Sequence, residues 1–221
     1  MSIIEELFNI LAPHQCLSCR AEGSLLCQIC TDVISNLPER CYACGRRSEA
    51  FRTCPACRRR SPLYSVWAVA EYDGAAKELV RALKFARAKA AAGVVAKALA
   101  AGCGLSEDVI VTHVPTVPNR IRERGYDQAA LIAKQLSAGK SLPYLALLAR
   151  AGGQRQLGQG REVRKRQMAG AFRLASGANV RGKHILLVDD VLTTGATCEA
   201  AARVLRAAGA KRVSAAVFAV A

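Results

Sequence analysis

Ile185, Leu186, Leu187 and Val188 form an unbroken apolar run, the pattern of a strand covered on both faces within a parallel sheet. Val109 to Val114 reads the same way, and Val66 to Tyr72 is a third strand. Between these runs the apolar spacing lengthens to a helical repeat. Leu79, Val80 and Leu83 mark a helix over 75–85, and alanine-rich stretches predict helices over 86–101 and about 126–137. A further helix extends from Cys198 to Ala208, where Gly209 stops it. Strands alternating with helices specify an α/β fold with a parallel sheet. Residues 115–125 are expected to form a stiff, non-helical loop at the ligand edge of that sheet, because they contain Pro115 and Pro118.

The apolar run at 185–188 leads directly into Asp189 and Asp190, and then into Thr193, Thr194, Gly195, Ala196 and Thr197 ahead of the last helix. Open α/β sheets bind ligands at the carboxyl ends of their strands. Threonine hydroxyls and backbone N–H groups there can wrap a phosphate, aided by the positive end of the helix dipole. Two carboxylates beside such a loop can bind sugar hydroxyls or a divalent ion. An acid-tipped strand also occurs in ATPases, but that reading needs a Walker loop. Gly177 to Lys183 has the glycine spacing, yet His184 stands where a serine or threonine is required, and the segment precedes a strand when it should follow one. The site is therefore read as one for a ribose phosphate.

Charge adds an anion-attracting field. The net charge of +15 is uneven: residues 1–62 hold eight basic and six acidic residues, which leaves +13 for residues 63–221. Phosphate-rich small molecules and nucleic acid both fit. No membrane span or export signal is read, since the apolar stretch 90–105 is interrupted by Lys97 and by glycines, so a cytoplasmic location is expected.

Eight of the ten cysteines fall in four Cys-x-x-Cys pairs, Cys16/Cys19, Cys27/Cys30, Cys41/Cys44 and Cys54/Cys57. Eight thiolates complete two tetrahedral structural zinc sites, with sequential pairing of the four units preferred over a cross-braced one. A disulfide framework and an iron–sulfur cluster are the alternatives. The chain thus divides into residues 1–62, an amino-terminal helix with a double zinc ribbon, and a main domain over 63–221. Cys198 beside the phosphate loop is read as a packing residue, with a reactive thiol as the alternative. His113 and His184 are both read as structural.

Two arginine-bearing segments complete the main domain. Arg120, Arg122 and Arg124 alternate ahead of Gly125, where guanidinium forks can receive a pyrophosphate. Residues 150–167 carry a net +5 among glycines and are expected to form a mobile loop that closes over an anionic substrate or serves as a polyanion-binding arm.

The run of four apolar residues, two acids, two variable residues and Thr-Thr-Gly-x-Thr resembles the phosphoribosyl-pyrophosphate (PRPP) loop of type I phosphoribosyltransferases. Together with the Cys-x-x-Cys module, Leu83-Lys84-Phe85, Arg124 to Gln128 and Gly170-Ala171-Phe172, it is similar to the ComF family of DNA-uptake competence proteins. The resemblance implies a type I phosphoribosyltransferase fold, with structural zinc and with magnesium accompanying PRPP. It assigns the ribose hydroxyls to Asp189 and Asp190, the 5′-phosphate to Thr193, Thr194, Gly195, Ala196 and Thr197, and the pyrophosphate side to Arg120, Arg124 and Gly125. Arg161 and Arg164 would form the catalytic lid, and Lys84 is implied as a substrate contact. The implied activity is transfer of ribose 5-phosphate with loss of pyrophosphate, linked to DNA uptake. A non-catalytic adaptor for single-stranded DNA and a PRPP-sensing regulator are the alternatives, and possible partners are single-stranded DNA or uptake proteins. Acceptor and oligomeric state are left open. Two positions depart from the family's usual asparagines: Asp127, which puts a carboxylate near the expected phosphates, and Gln167.

Overall fold

Helices and strands alternate as the apolar spacing requires. The structure, a computed structural model, describes residues 15–34, 37–85, 88–104, 108–151 and 170–221. In chain order its elements are helices Gln28–Ile34 (α1) and Pro55–Arg58 (α2), strand Val66–Glu71 (β1), helices Gly74–Phe85 (α3) and Ala90–Gly102 (α4), and strand Val109–His113 (β2). Helices Pro118–Arg124 (α5) and Gln128–Gly139 (α6) follow, then strands Leu148–Arg150 (β3), Phe172–Leu174 (β4) and His184–Leu192 (β5), helix Ala196–Ala207 (α7) and strand Arg212–Val220 (β6). The main sheet is parallel throughout, in the order β1-β6-β5-β2, and β3 pairs antiparallel with β4 in a small separate ribbon.

Alternation along β5 sends its side chains to two cores. Leu186 and Val188 pack with Phe218 against Leu79 and Leu83 of α3, Val95 and Leu99 of α4, and Ile132 and Leu136 of α6. Ile185 and Leu187 pack on the opposite face with Val213 and Val217, against Ala201 and Leu205 of α7 and Phe172 of β4. Both faces are covered, which is why the run 185–188 is continuously apolar.

Three elements differ from expectation. Residues 115–125 are not a non-helical loop: Pro118 opens α5, where a missing N–H is harmless, and Gly125 ends it in the left-handed region at φ 84°. β6 was not anticipated, because Ala215, Ala216 and Ala219 dilute its strand character, yet it lies at the centre of the sheet between β1 and β5. β5 also runs past its apolar stretch to Leu192, so both acids belong to the strand. On one side β2 ends at His113, level with Val188, and on the other β6 stays in register to Leu192. Asp189 and Asp190 therefore line a notch that opens where β2 stops. The amino-terminal helix falls in residues 1–14, outside the described residues; of the arginine-rich loop expected over 150–167, Arg150 is instead the last residue of β3 and residues 152–167 lie outside the described residues.

Candidate functional site

Asp190 is 5% exposed at the notch, with both its oxygens engaged. Lys84, in the last turn of α3, places its Nζ 3.1 Å from Oδ1, and the Gln128 amide donates to Oδ2 at 3.2 Å. Gln128 opens α6 and accepts in turn from Arg124 Nη1 at 2.7 Å; the Arg124 guanidinium lies 5.7 Å from the centre of the Phe85 ring. A polar chain thus runs Arg124, Gln128, Asp190, Lys84 across four segments that the sequence separates. Among the described residues Asp189 accepts from the Asp190 N–H, at 2.9 Å. Burial, then the adjacent Asp190 charge, raises its pKa above the ordinary carboxylate range, with Lys84 acting in the opposite direction. Asp189 holds a proton more tightly than an ordinary carboxylate does. A cation or sugar hydroxyl that prefers the ionised form competes with that proton.

Thr193 and Thr194 are exposed immediately beyond the strand, while Gly195 is buried with φ 75° and caps α7. That φ favours glycine, and the space does as well: a Cβ on Gly195 would meet Tyr42 Cε2 at 3.0 Å. The first N–H groups of α7 have no partner within the helix and face the loop. An anion seated there gains those donors and the helix dipole together. Ala196 N–H already bonds Thr194 Oγ1 at 3.4 Å, which folds the threonine over the turn. Cys198 is buried behind it. Its thiol is held well above the usual range by burial, reinforced by the charges of Asp189, Asp190 and Glu199, so its role is packing.

The arginines separate once α5 is seen to be helical. Arg124 is partly buried and joins the polar chain, whereas Arg120 lies exposed one turn earlier with Glu123 at 3.4 Å, and Arg122 bonds Asn119. Gly125 serves as the left-handed cap. Asp127 has a structural role: it caps α6 by accepting from Ala130 N–H and binds the N–H and hydroxyl of Thr116 at 2.9 and 3.0 Å. Arg161, Arg164 and Gln167 lie outside the described residues.

Neither histidine belongs to the polar chain. His113 is buried and bonded to the Tyr144 hydroxyl at 2.9 Å; its pKa is lowered by burial against the opposing pull of Asp127. His184 sits at the start of β5.

The cysteines gather into two groups, Cys16/Cys19/Cys27/Cys30 and Cys41/Cys44/Cys54/Cys57, in the sequential pairing. No disulfide links them. Within each group all four sulfurs lie within 4.8 Å of one another, and the Cys19–Cys27 and Cys44–Cys54 sulfurs are each 3.7 Å apart. Four sulfurs about 2.3 Å from one zinc ion lie about 3.8 Å apart at the corners of a tetrahedron, so the donor set fits. Each group is built from the same knuckle. Arg20 and Gly45, directly after the second cysteine, adopt φ 64° and 72° and donate back to Cys16 and Cys41 carbonyls. Burial opposes ionisation of Cys16 and Cys41, but backbone N–H groups outweigh it, bringing the thiols to about 6 and about 7.

Gln128, Tyr42 and Glu199 are functional-site neighbours that the sequence reading did not single out. Gln128 stood next to a suspected phosphate contact, a weak signal. Tyr42 had none, because its bond to Glu199 spans 157 positions in the chain.

A phosphoribosyl transferase domain model matches residues 86–220. The DNA utilization protein YhgH of Escherichia coli strain K12 is 27% identical over 220 residues, covering 92% of this chain and 96% of its own. Competence protein F of Haemophilus influenzae is 26% identical over 218 residues, covering 90% and 93%. Among solved structures, the glutamine PRPP amidotransferase of B. subtilis, complexed with ADP and GMP, aligns with a TM-score of 0.42 and 22% identity over 58% of this chain and 26% of that one. No helix among the described residues is long and apolar enough to cross a membrane. With the matched domain spanning more than half of its length, the chain belongs to the phosphoribosyl transferase domain family.

Proposed function

We propose that the chain is a ComF-type protein that binds PRPP with magnesium at the β5–α7 junction and transfers its ribose 5-phosphate to an acceptor, releasing pyrophosphate. The observation that carries this reading is the union of the Asp189-Asp190 notch with the Thr193–Thr197 turn, joined across the sheet to Lys84, Gln128 and Arg124. Residues 193–197 take the 5′-phosphate on backbone N–H groups and hydroxyls. Asp189 and Asp190 accept from the ribose hydroxyls and orient C1 towards the notch. Arg124, with Arg120 at the outer turn of α5 beside Gly125, faces the pyrophosphate; Lys84 balances the acids, and Arg161 and Arg164 contribute cationic cover. Hard carboxylate oxygens suit magnesium, which, when bound with PRPP, offsets charge on the leaving pyrophosphate. Displacement at C1 has an oxocarbenium-like transition state, so positioning and charge neutralisation supply the catalysis. Residues 1–62 would form the metal-bearing module and 63–221 the transferase domain, with two zinc ions as structural cofactors and a cytoplasmic setting.

The names of the two relatives, concerned with DNA utilization and competence, favour a second reading, a DNA-associated adaptor or PRPP sensor that retains the site without turnover. Incubation with PRPP, magnesium and a metabolite extract, followed by mass analysis, separates them. Products heavier than an acceptor by a ribose 5-phosphate support transfer. Their absence, with single-stranded DNA binding that weakens steeply with salt and ignores PRPP, supports the adaptor.

A further inference from the structure

Tyr42 links the second cysteine group to the turn at Gly195. Tyr42 follows Cys41 directly in the knuckle, and its backbone is held by the bonds that shape that knuckle, Cys41 N–H to Arg46 O and Gly45 N–H to Cys41 O, each 2.8 Å. Its ring edge lies against Gly195, where even a methyl group would be at 3.0 Å. Its hydroxyl bonds Ser61 Oγ at 2.5 Å and donates to Glu199 Oε1 at 3.0 Å, in the first turn of α7. Glu199 Oε2 is taken by Arg203 at 2.7 Å, so both carboxylate oxygens are engaged. The left-handed Gly195 and the first turn of α7 are therefore clamped from the cysteine module, while β5 supports the turn from the other side.

We infer that Tyr42 is a positioning residue through which the metal-bound state of the Cys41/Cys44/Cys54/Cys57 site sets the shape, and hence the phosphate affinity, of residues 193–197. The inference rests on the phosphate-binding reading above and adds its regulation. Losing the metal frees the knuckle, withdraws the ring from Gly195 and lets the turn sample conformations that do not bind. By linkage, an occupied phosphate turn holds the knuckle and slows metal loss.

The test reads the turn itself. Hydrogen exchange of the peptide spanning 193–199 is followed in the ligand-free, zinc-loaded chain, in the same chain after chelation, and in Tyr42→Ala, Tyr42→Phe and Tyr64→Leu. Tyr64 packs between Arg58 and Arg212 and serves as the control for a lost aromatic ring. Exchange is expected to rise about tenfold in Tyr42→Ala and on chelation, to stay near wild type in Tyr42→Phe, which keeps the ring contact, and to be unchanged in Tyr64→Leu. A turn competent for one-tenth of the time binds PRPP about tenfold more weakly, so calorimetry on Tyr42→Ala should show that loss. PRPP should also slow zinc transfer to a chromogenic chelator in wild type but not in Tyr42→Ala. Unchanged exchange at 193–199 in both Tyr42→Ala and the stripped chain overturns the inference, as does an equal rise in Tyr64→Leu. If wild type binds no PRPP, the functional reading falls, and the exchange measurement still decides the role of Tyr42.

Discussion

Lys84 and Asp190 meet at 3.1 Å between side chains that are 22% and 7% exposed, joining the end of α3 to the acid-bearing end of β5. A carboxylate so buried needs its cation, and Gln128 alone does not replace a charge. Lys84→Met should therefore lower unfolding stability by about 2 kcal/mol, below the full cost of breaking a buried pair because the ammonium end is partly solvated. Thermal unfolding checks this. The double change Lys84→Met with Asp190→Asn should recover most of the loss without restoring PRPP binding. A double variant no more stable than Lys84→Met would show that the pair is not coupled.

Asp189 gives a pH dependence of known sign. Its folded pKa is raised above the unfolded value, so from about pH 4 upward the unfolded chain releases a proton that the folded chain retains, and stability falls as pH rises until the folded group also ionises. Asp189→Asn removes that slope. The variant should gain on wild type in melting temperature from weakly acidic to neutral pH while losing PRPP affinity. In wild type, binding of magnesium and PRPP should tighten over the same interval and release protons, which calorimetry in buffers of different ionisation enthalpy detects.

At Gly195 an alanine meets two obstacles, a left-handed backbone costing about 1 to 2 kcal/mol and the Tyr42 ring at 3.0 Å. Gly195→Ala should weaken PRPP binding by about tenfold or more. Pairing it with Tyr42→Ala relieves the steric part but also removes the ring's support of the turn, so the double variant should bind PRPP less tightly than Tyr42→Ala alone, by the backbone part only. A double variant that binds as well as Tyr42→Ala would show that the left-handed backbone costs nothing.

The two cysteine groups should hold two zinc ions per chain, measured by native mass spectrometry. Cobalt substitution should give the visible absorption of tetrahedral tetrathiolate sites. Cys44→Ser should reduce occupancy of the second site only, because the sequential groups share no ligand. Loss of both ions together would contradict independent sites.

Strands β1, β2 and β5, four of the helices and the acid-threonine segment were legible because each is a local pattern of apolar period, alanine content or turn chemistry. Sequential pairing of the cysteines was preferred with a cross-braced one left open, and the sulfurs gather in the sequential groups. α5 was misread because Pro118 was taken as a helix breaker when it is also a good first helical residue. β6 was missed because alanine is neutral to strand patterning, and its central place is fixed by the flat space between two helix layers. In the site, the acids and the turn lie in one segment and could be read together. Lys84, Gln128 and Tyr42 come from distant segments, and only the fold brings them to Asp190 and Gly195.

The most direct measurement is calorimetric titration of the zinc-loaded chain with PRPP and magnesium, alongside Asp190→Ala and Thr194→Ala. Saturable one-to-one binding in wild type, weakened about tenfold or more in both variants, is the expected result. No binding by wild type, or binding undiminished in the two variants, would contradict a PRPP site at the β5–α7 junction.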